Sequence, residues 1–336
     1  MVAETRPNVR RWLLKSLAGL VIFGCGPAAA PAPTAQFAQA HSTAQNWWLK
    51  AEAAFISGDP NALGDLFAGS ALDVATGELQ MLALANGLPK YPRPFRDSTV
   101  FAPGPGKDPT WFLTIIRYAP VDRDGRAQAI DMSAPGMIFK QVNGTWKVIA
   151  TDVQAPIGHD YLPTKEFAFS TPLDDSRYLM ARSAIASSYA TYLNSLSAGQ
   201  QPEVPFPSGL NSFAWQITHV TWPPGSIATA HWDFKVDTAQ VAAYSITSGM
   251  TKAPEVVVFV IRRTVIFKPR QGCLVRRPGD SWSAIVPPGS YSAVTIASVS
   301  VVAATVPFND GDTSQGRKVI DISAGIDDVS ATGTKC

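Results

Sequence analysis

Residues 136–152, GMIFKQVNGTWKVIATD, contain the clearest folding signal in this chain of 336 residues. Two runs suited to β-strands, Met137–Val142 and Thr145–Asp152, flank the dipeptide Asn143-Gly144. Asn-Gly tolerates the positive φ angles of a two-residue type I′ turn, so the stretch predicts an antiparallel β-hairpin. The sequence on either side of this hairpin is expected to complete the sheet and to cover it.

The sequence before the hairpin predicts helices first and strands afterwards. From Thr43 onward, apolar residues recur at helical spacing until Gly58-Asp59-Pro60 ends the pattern. Strands follow, of which Trp111–Ala119 is the strongest because it is rich in aromatic and β-branched residues. This order favours an α+β fold. The other elements predicted here are helices at Asn61–Phe67 and Ala71–Ala85 and a strand at Phe95–Phe101.

The second half repeats the order of helix and then sheet. Asp174–Ser176 is expected to cap a helix that ends near Gly199, after a linker over Pro156–Thr171. We therefore predict two domains, residues 43–155 and 172–336, each with N-terminal helices packed on a curved antiparallel sheet. The helix stripe is Tyr178, Ile185, Tyr189, Tyr192 and Leu196, and the strand candidates are Ser212–Trp222, Thr229–Val236, Ala242–Thr247, Glu255–Lys268, Trp282–Val286, Tyr291–Val306 and Lys318–Asp328.

Residues 1–25 have the parts of an export signal. Arginines and a lysine precede a short apolar core, and small residues follow. The segment Arg10–Cys25, RRWLLKSLAGLVIFGC, fits either the twin-arginine or the general export route. Its end, Ile22–Cys25, resembles a bacterial lipobox, which implies acylation of Cys25 and anchoring on the outer face of the cell membrane. The alternative is an ordinary signal cleaved within Gly26–Ala30, which would leave a secreted protein.

Residues 26–42 are rich in proline and alanine and predict a flexible tether. Residues 1–24 hold four basic groups and one acidic group, so the rest of the chain has 24 basic against 25 acidic side chains and a net charge of −1. Such a surface has no basic field to attract nucleic acid. The predicted partners are the membrane, through the lipid anchor, and an envelope protein or a small apolar ligand.

The chain has three cysteines, Cys25, Cys273 and Cys336. If Cys25 is acylated, an even pair remains in an oxidising compartment, and Cys273–Cys336 is the expected disulfide. The alternative is two free thiols. Since the four histidines are scattered, no zinc site, other metal site or cofactor is expected.

Several segments resemble the nuclear transport factor 2-like superfamily, in which a bent sheet wraps helices into a cone. The resemblance rests on Trp111-Phe112, Gly136–Lys140 and Asn143–Val148. The layout of leader, lipobox, tether and two such domains is similar to that of exported actinobacterial lipoproteins of unknown function. The resemblance implies the cystatin-like α+β fold and the location, but no chemistry.

Some members of that superfamily use an Asp or an Asp/His pair in an apolar cavity. The candidates here are His231 and Asp233, two residues apart on one strand and therefore on one face, with His219 and Asp97 as further possibilities. The simpler interpretation is a polar pair at the surface. Most tryptophans are expected in the core, whereas Trp215, Trp222 and Trp232 are close enough in sequence to form a binding patch if exposed.

Three functions are compatible with the sequence. The first is a non-enzymatic binding or assembly module, tethered in the cell envelope. The second is a small-molecule isomerase or dehydratase that uses the His231/Asp233 pair in a cone-shaped cavity. The third is a structural spacer or an immunogenic surface protein without a ligand. A deep apolar pocket with His231 and Asp233 pointing inward favours the second function over the first, and a filled interior with both residues facing water excludes the second. The absence of a pocket from both domains fits the third.

Overall fold

The structure is a computed structural model, and it describes most of the chain after residue 34. The predicted signal peptide and Cys25 lie outside the described residues. The ranges described are 35–85, 87–103, 110–153, 166–169, 174–200, 202, 206, 214, 217, 227–245, 255–277, 285–309 and 320–336.

Three helices lead the first half: α1 (Ala35–Ser57), α2 (Pro60–Leu66) and α3 (Ser70–Ala85). The chain turns between α1 and α2 at Gly58, which has a φ of 68°. The Asp59 carboxylate caps α2 by accepting a hydrogen bond from the backbone N–H of Asn61. Helix α1 includes residues 35–42, which the sequence analysis assigns to the tether. They are helical because Phe37 and Ala40 are buried against the core.

The first sheet contains the predicted hairpin. Asn143 and Gly144 have φ angles of 52° and 77°, and Val142 pairs with Thr145 across the turn. The strand order is β5-β4-β2-β1-β6, with β3 also paired to β2. All pairs are antiparallel except β1 with β6, which are parallel. Strand β6 lies within the segment predicted to be the linker. The strands are β1 (Phe95–Pro103), β2 (Trp111–Tyr118), β3 (Met132–Ser133), β4 (Gly136–Val142), β5 (Thr145–Val153) and β6 (Glu166–Phe169).

The second half has one described α-helix of several turns, α4 (Arg182–Ser197). It starts later than predicted, because Asp174 caps a short 3-10 turn at Asp175–Arg177 instead. The strands that follow form a second sheet in the order β11-β10-β8-β7, with β9 and β12 also paired to β10. These strands are β7 (Ile227–Ser245), β8 (Glu255–Pro269), β9 (Leu274–Arg276), β10 (Gly289–Val306), β11 (Asp321–Ala324) and β12 (Asp327–Lys335).

Helix α4 covers the outer edge of strand β7. The Asn194 amide donates to the Phe234 carbonyl at 2.8 Å and accepts from the Phe234 N–H at 2.9 Å. Ser197 donates to the Trp232 carbonyl. Backbone groups that an edge strand would leave free are therefore satisfied by side chains of α4.

Buried residues form three cores between alternating layers. The first lies between the leading helices and the first sheet, the second between the two sheets, and the third between the second sheet and α4. Strand β8 is buried almost continuously from Glu255 to Ile261, because both of its faces are covered. The α+β class is confirmed. The division into two domains stays a prediction, and buried residues of both sheets share the middle core.

Cys273 and Cys336 form a disulfide, as the sequence predicts. It joins the chain just before β9 to the residue after β12, and the two Cα atoms are 6.3 Å apart. Disulfides persist in oxidising compartments, so the bond agrees with a location outside the cytoplasm. None of the helices in the described part of the chain is both long enough and apolar enough to span a bilayer.

Candidate ligand-binding cavity

A cavity of about 430 Å³ lies between helices α1 and α3 and the first sheet. It opens to solvent, and the start of β12 from the second half closes part of its wall. Its volume is within the range of small-molecule sites. The cavity is lined by Trp47, Trp48, Ala51, Glu52, Phe55, Phe67, Val74, Ala75, Glu78, Met81, Arg93, Tyr118, Ala134, Pro135, Met137, Thr151, Asp152, Asp327 and Asp328.

The aromatic part of the wall is held rigidly. The Trp47 ring meets Phe67 and Phe139 edge to face, with centroids 5.2 and 5.4 Å apart. Its indole N–H donates to the Leu66 carbonyl at 3.0 Å. Since both the ring and its polar group are fixed, this wall is preformed for apolar contacts.

Arg93 and Glu52 neutralise each other at one side of the cavity. The guanidinium donates to both carboxylate oxygens of Glu52, with a shortest distance of 2.6 Å, and the Arg93 backbone N–H adds a further bond. The guanidinium also lies over the rings of Trp48 and Tyr118, at 5.1 and 4.9 Å from their centroids. This region of the wall therefore already stabilises a cation by cation–π contact.

Three further carboxylates of the cavity, Glu78, Asp152 and Asp327, have no hydrogen-bond or ion-pair partner among the described residues. Burial raises the pKa of Glu78 and of Asp152, with Arg93 partly offsetting the effect at Glu78. Burial, together with repulsion from Asp152, Glu78 and Asp328, raises the pKa of Asp327 to about 6. Among the described residues, the negative charge of these three carboxylates is therefore offset only in part, by Arg93 at Glu78.

Asp328 differs from these three because it is compensated. Its carboxylate accepts a hydrogen bond from Ser298 at 2.7 Å and one from Arg263 at 3.3 Å. Arg263 is itself buried and lies over the Trp232 ring at 5.3 Å from its centroid. Burial lowers the pKa of Arg263, and Asp328 opposes that change. This network belongs to the interior of the second sheet.

Two close contacts and an ion pair position β12 at the cavity. Gly77 of α3 packs so tightly on β12 that a Cβ there would lie 2.8 Å from the Cα of Val329. The Asp152 carboxylate lies against Gly325 in the same way, in space that a side chain at 325 would occupy. Arg262 of β8 pairs with Asp73 of α3 at 2.5 Å. The second half thus supplies Asp327 to a cavity of the first half.

An outer chamber of about 570 Å³ adjoins the cavity. The two spaces share the side chains of Phe55, Glu78, Arg93 and Tyr118. Tyr91 and Met132 line the outer chamber and are largely exposed, so its mouth is partly apolar. Exposed Lys90, Asp122 and Arg123 also line it.

The residues that the sequence analysis singles out lie elsewhere. His231 is exposed on β7, and Asp233 pairs with Lys235 at 3.0 Å, while Trp232 and Phe234 on the opposite face are buried. His231 and Asp233 therefore face solvent and do not line the cavity. Asp97 pairs with Arg117 at 2.6 Å. His219, Trp215 and Trp222 lie outside the described residues.

Sequence reasoning missed the cavity carboxylates. A signal existed for two of them: Glu52 follows Trp48 by four residues and Glu78 follows Val74 by four, so each shares a helix face with apolar residues. An acid on an apolar face indicates either a buried pair or a site. Asp152 and Asp327 had no such signal, because only the tertiary fold brings β5 and β12 to the same space.

Within the described ranges, no group of three or more His, Cys, Asp or Glu side chains is arranged to hold a metal ion. Comparisons of the chain with protein-family models, curated proteins and solved structures found no match. The superfamily resemblance and the lipoprotein assignment therefore stay predictions.

Proposed function

We propose that this chain is a binding protein of the cell envelope that holds a small organic molecule in the cavity between α1, α3 and the first sheet. One observation carries the proposal: an open cavity of about 430 Å³ with fixed aromatic walls and polar groups at defined positions. Ligand sites in proteins combine these features. The third possibility, a spacer without a ligand, does not account for such a cavity.

The proposed location is the outer face of the membrane, with Cys25 acylated. The disulfide between Cys273 and Cys336 supports an oxidising compartment. Mass spectrometry of the protein from membrane fractions tests the anchor. An acylated N-terminal Cys25 is expected, whereas an unmodified terminus beginning after residue 25 would mean a secreted binding protein instead.

Binding can be tested with the neutral fluorescent probe N-phenyl-1-naphthylamine. We expect saturable enhancement of its emission and quenching of protein tryptophan emission, since Trp47 and Trp48 line the cavity. Met81→Trp places a large ring at the cavity wall and should abolish saturable binding. Gln80→Trp is the matched control, because Gln80 is exposed on the same helix and lines neither chamber.

Two outcomes would contradict the proposal. One is the absence of saturable probe binding to the wild-type protein. The other is equal binding by Met81→Trp and wild type, with far-UV circular dichroism showing both to be folded, because the probe would then occupy another surface.

A second function, proton transfer on a bound carbonyl compound, is favoured by the position of Asp327 in the cavity wall and by its pKa, which burial raises to about 6. A carboxylate with such a pKa can remove and return a proton near neutral pH. The test substrate is 3-cyclohexen-1-one, whose double bond moves into conjugation when a proton leaves the α-carbon and another is added at the γ-carbon. Absorbance reports the product, and Asp327→Asn should lack any rate above buffer.

A further inference from the structure

We infer that the ligand of the cavity is an organic cation, an amine or quaternary ammonium attached to an apolar body. This inference rests on the proposed function and adds the chemical class of the ligand. The site is the cavity itself, and the charged groups along its wall select what enters it.

The charge of the inner cavity is unbalanced. Five carboxylates line it, and Arg93 is the one basic side chain that lines it among the described residues. Arg93 is engaged by Glu52, and Asp328 is engaged by Ser298 and Arg263. Glu78, Asp152 and Asp327 are left to repel one another, with Asp152 and Asp327 half-buried and Glu78 exposed to solvent. A cation in that space would be attracted by all three.

The apolar walls are suited to a cation as well. The Arg93 guanidinium occupies the faces of Trp48 and Tyr118, at 5.1 and 4.9 Å from the ring centroids, so a ligand cation would meet the other aromatic side chains of the wall. Trp47, Phe55 and Phe67 extend the aromatic lining further. Aromatic faces attract ammonium groups by their quadrupoles, while their area holds an apolar body.

A buried hydroxyl also lies at the cavity wall. Thr151 lines the cavity beside Asp152, and its Oγ1 is buried without a hydrogen-bond partner among the described residues. Because a hydroxyl can donate or accept, it does not select the charge of the ligand. That selection rests on the carboxylates, which accept the N–H groups of a primary or secondary ammonium.

The outer chamber does not cancel this charge. Lys90 and Arg123 line it and are exposed, so solvent screens them more than the half-buried Asp152 and Asp327, although Glu78 is exposed as well. The cationic end of the ligand is therefore placed in the inner cavity. Its apolar body passes between Phe55 and Tyr118 toward the outer chamber.

Binding of a cation and protonation of the cavity must oppose each other. The titratable and charged groups that face the space come from every element around it: Glu52 on α1, Glu78 on α3, Arg93 just before β1, Tyr118 at the end of β2, Asp152 on β5, and Asp327 and Asp328 on β12. Protonation of Glu78, Asp152 or Asp327 removes attraction for a cation and leaves a neutral ligand unaffected. By linkage, the affinity for a cation must fall as the pH is lowered through the range where these groups titrate.

The test compares three probes with the same body and different charge: 4-phenylbutylamine, 4-phenylbutanol and 4-phenylbutyrate. Isothermal titration calorimetry of the full chain at about pH 7.5 keeps the amine protonated and the carboxylates mostly ionised. We expect the amine to bind about tenfold or more tightly than the alcohol, and the butyrate to bind most weakly. At about pH 5 the advantage of the amine should shrink, whereas the alcohol should bind as before.

Substitutions locate the effect. Asp327→Asn should weaken the amine about tenfold and change the alcohol less than about twofold. Asp321→Asn is the matched control, because Asp321 is an exposed acid on the adjacent strand β11 and does not line the cavity. Glu78→Gln, on a different element, gives an independent measurement if Asp327→Asn is poorly folded.

The outcomes separate the two proposals. Equal affinity for amine and alcohol, tighter binding of butyrate, or an amine affinity independent of pH would overturn the cationic ligand and leave the binding function standing. Failure of all three probes and of the neutral naphthylamine would overturn both. A tenfold preference that Asp327→Asn removes and Asp321→Asn retains would establish the inference.

Discussion

The two sheets are each covered by helix on one face, and they differ in what fills the space beneath. Under α4, aromatic side chains occupy it: Tyr189 lies 5.1 Å from Phe206 and 6.2 Å from Phe259, measured between ring centroids. Under α1 and α3, the buried Ala51 and Ala75 stand among large side chains such as Trp47, and the open cavity lies beside them. Small inward residues on a helix leave room that large ones would fill.

The polar groups of the two regions differ in the same way. Beneath α4, Asn194 and Ser197 satisfy the backbone of β7. Around the cavity, Glu78, Asp152 and Asp327 are unpaired within the described part of the chain and repel one another. Beneath α4 the buried Tyr189 hydroxyl also has no partner among the described residues, but the cavity region collects three unpaired carboxylates and therefore holds more groups that cost stability.

The largest effect on stability is expected from removing a large side chain from the packed core beneath α4. Phe259→Ala should lower the free energy of unfolding by about 3–5 kcal/mol, because Phe259 is fully buried. Met81→Ala, at the half-buried wall of the cavity, should cost less than about 1.5 kcal/mol. Urea denaturation of both variants measures the difference. Similar losses would mean that the cavity region is as tightly packed as the α4 region.

Removing the disulfide should loosen only the C-terminal end of β12. Cys273→Ser with Cys336→Ser should cost about 2–4 kcal/mol, since the bond closes a long loop with a sequence separation of 63. Asp327 lies at the other end of β12, so probe binding in the absence of denaturant should persist. Loss of binding in this folded variant would show that the whole strand must be anchored to form the cavity.

The contact between the two regions can be disturbed at Gly77. Gly77→Ala should destabilise the protein by about 1–3 kcal/mol, because the added Cβ meets backbone atoms of β12 at 2.8–2.9 Å. Gly64→Ala in helix α2 is the matched control. Nothing lies within 4 Å of a Cβ there, and alanine favours helix, so a gain of up to about 1 kcal/mol is expected. Thermal unfolding distinguishes the two signs, and a stabilising Gly77→Ala would contradict the described packing.

The smallest effect concerns the stability cost of Asp327. Its pKa in the folded protein, about 6, exceeds the ordinary value of about 3.9. The fold therefore favours the protonated form, and the stability associated with that form is present below about pH 4 and lost as the pH rises through about 6. Asp327→Asn should be more stable than wild type by about 1–2 kcal/mol at about pH 7.5 and similar to it at about pH 4, allowing for partial access of solvent to the cavity.

Urea denaturation at the two pH values measures this difference, with Asp321→Asn as the control. An equal effect of Asp327→Asn at both pH values would show that the Asp327 carboxylate has no raised pKa in the fold. The same substitution should raise the free energy of unfolding and lower the affinity for the amine. The two measurements together therefore test whether the Asp327 carboxylate lowers stability while it contributes to ligand binding.

Much of the fold follows from local signals in the sequence. The helices predicted at Asn61–Phe67 and Ala71–Ala85 match α2 and α3 to within one residue at each end, and the Asn-Gly hairpin forms at the predicted turn. Caps, turns and periodicity act over a few residues, so they can be read locally. Where the local signal was mixed, boundaries moved: the separate strands predicted around Thr229–Val236 and Ala242–Thr247 are one strand, β7.

The candidate site was less predictable. The His231/Asp233 pair shares a strand face, as its spacing indicates, but that face meets solvent because Trp232 and Phe234 take the buried side. Alternation along a strand specifies two faces without specifying which one is inside when both carry polar and aromatic residues. The same limit applies to Glu78, because its sequence pattern fits a helix face packed against the core as well as one that lines a cavity.

From the sequence alone one could predict the α+β class, the helices and hairpin of the first half, and the pairing of Cys273 with Cys336, all of which the structure contains, while the export signal stays a prediction. These depend on composition, short-range pattern and cysteine count. The return of β12 to the first half, which sets Asp327 beside Asp152 and Glu78, is visible only in the folded chain. Residues far apart in the sequence meet there because α3 packs on β12 through Gly77, and no local pattern encodes that contact.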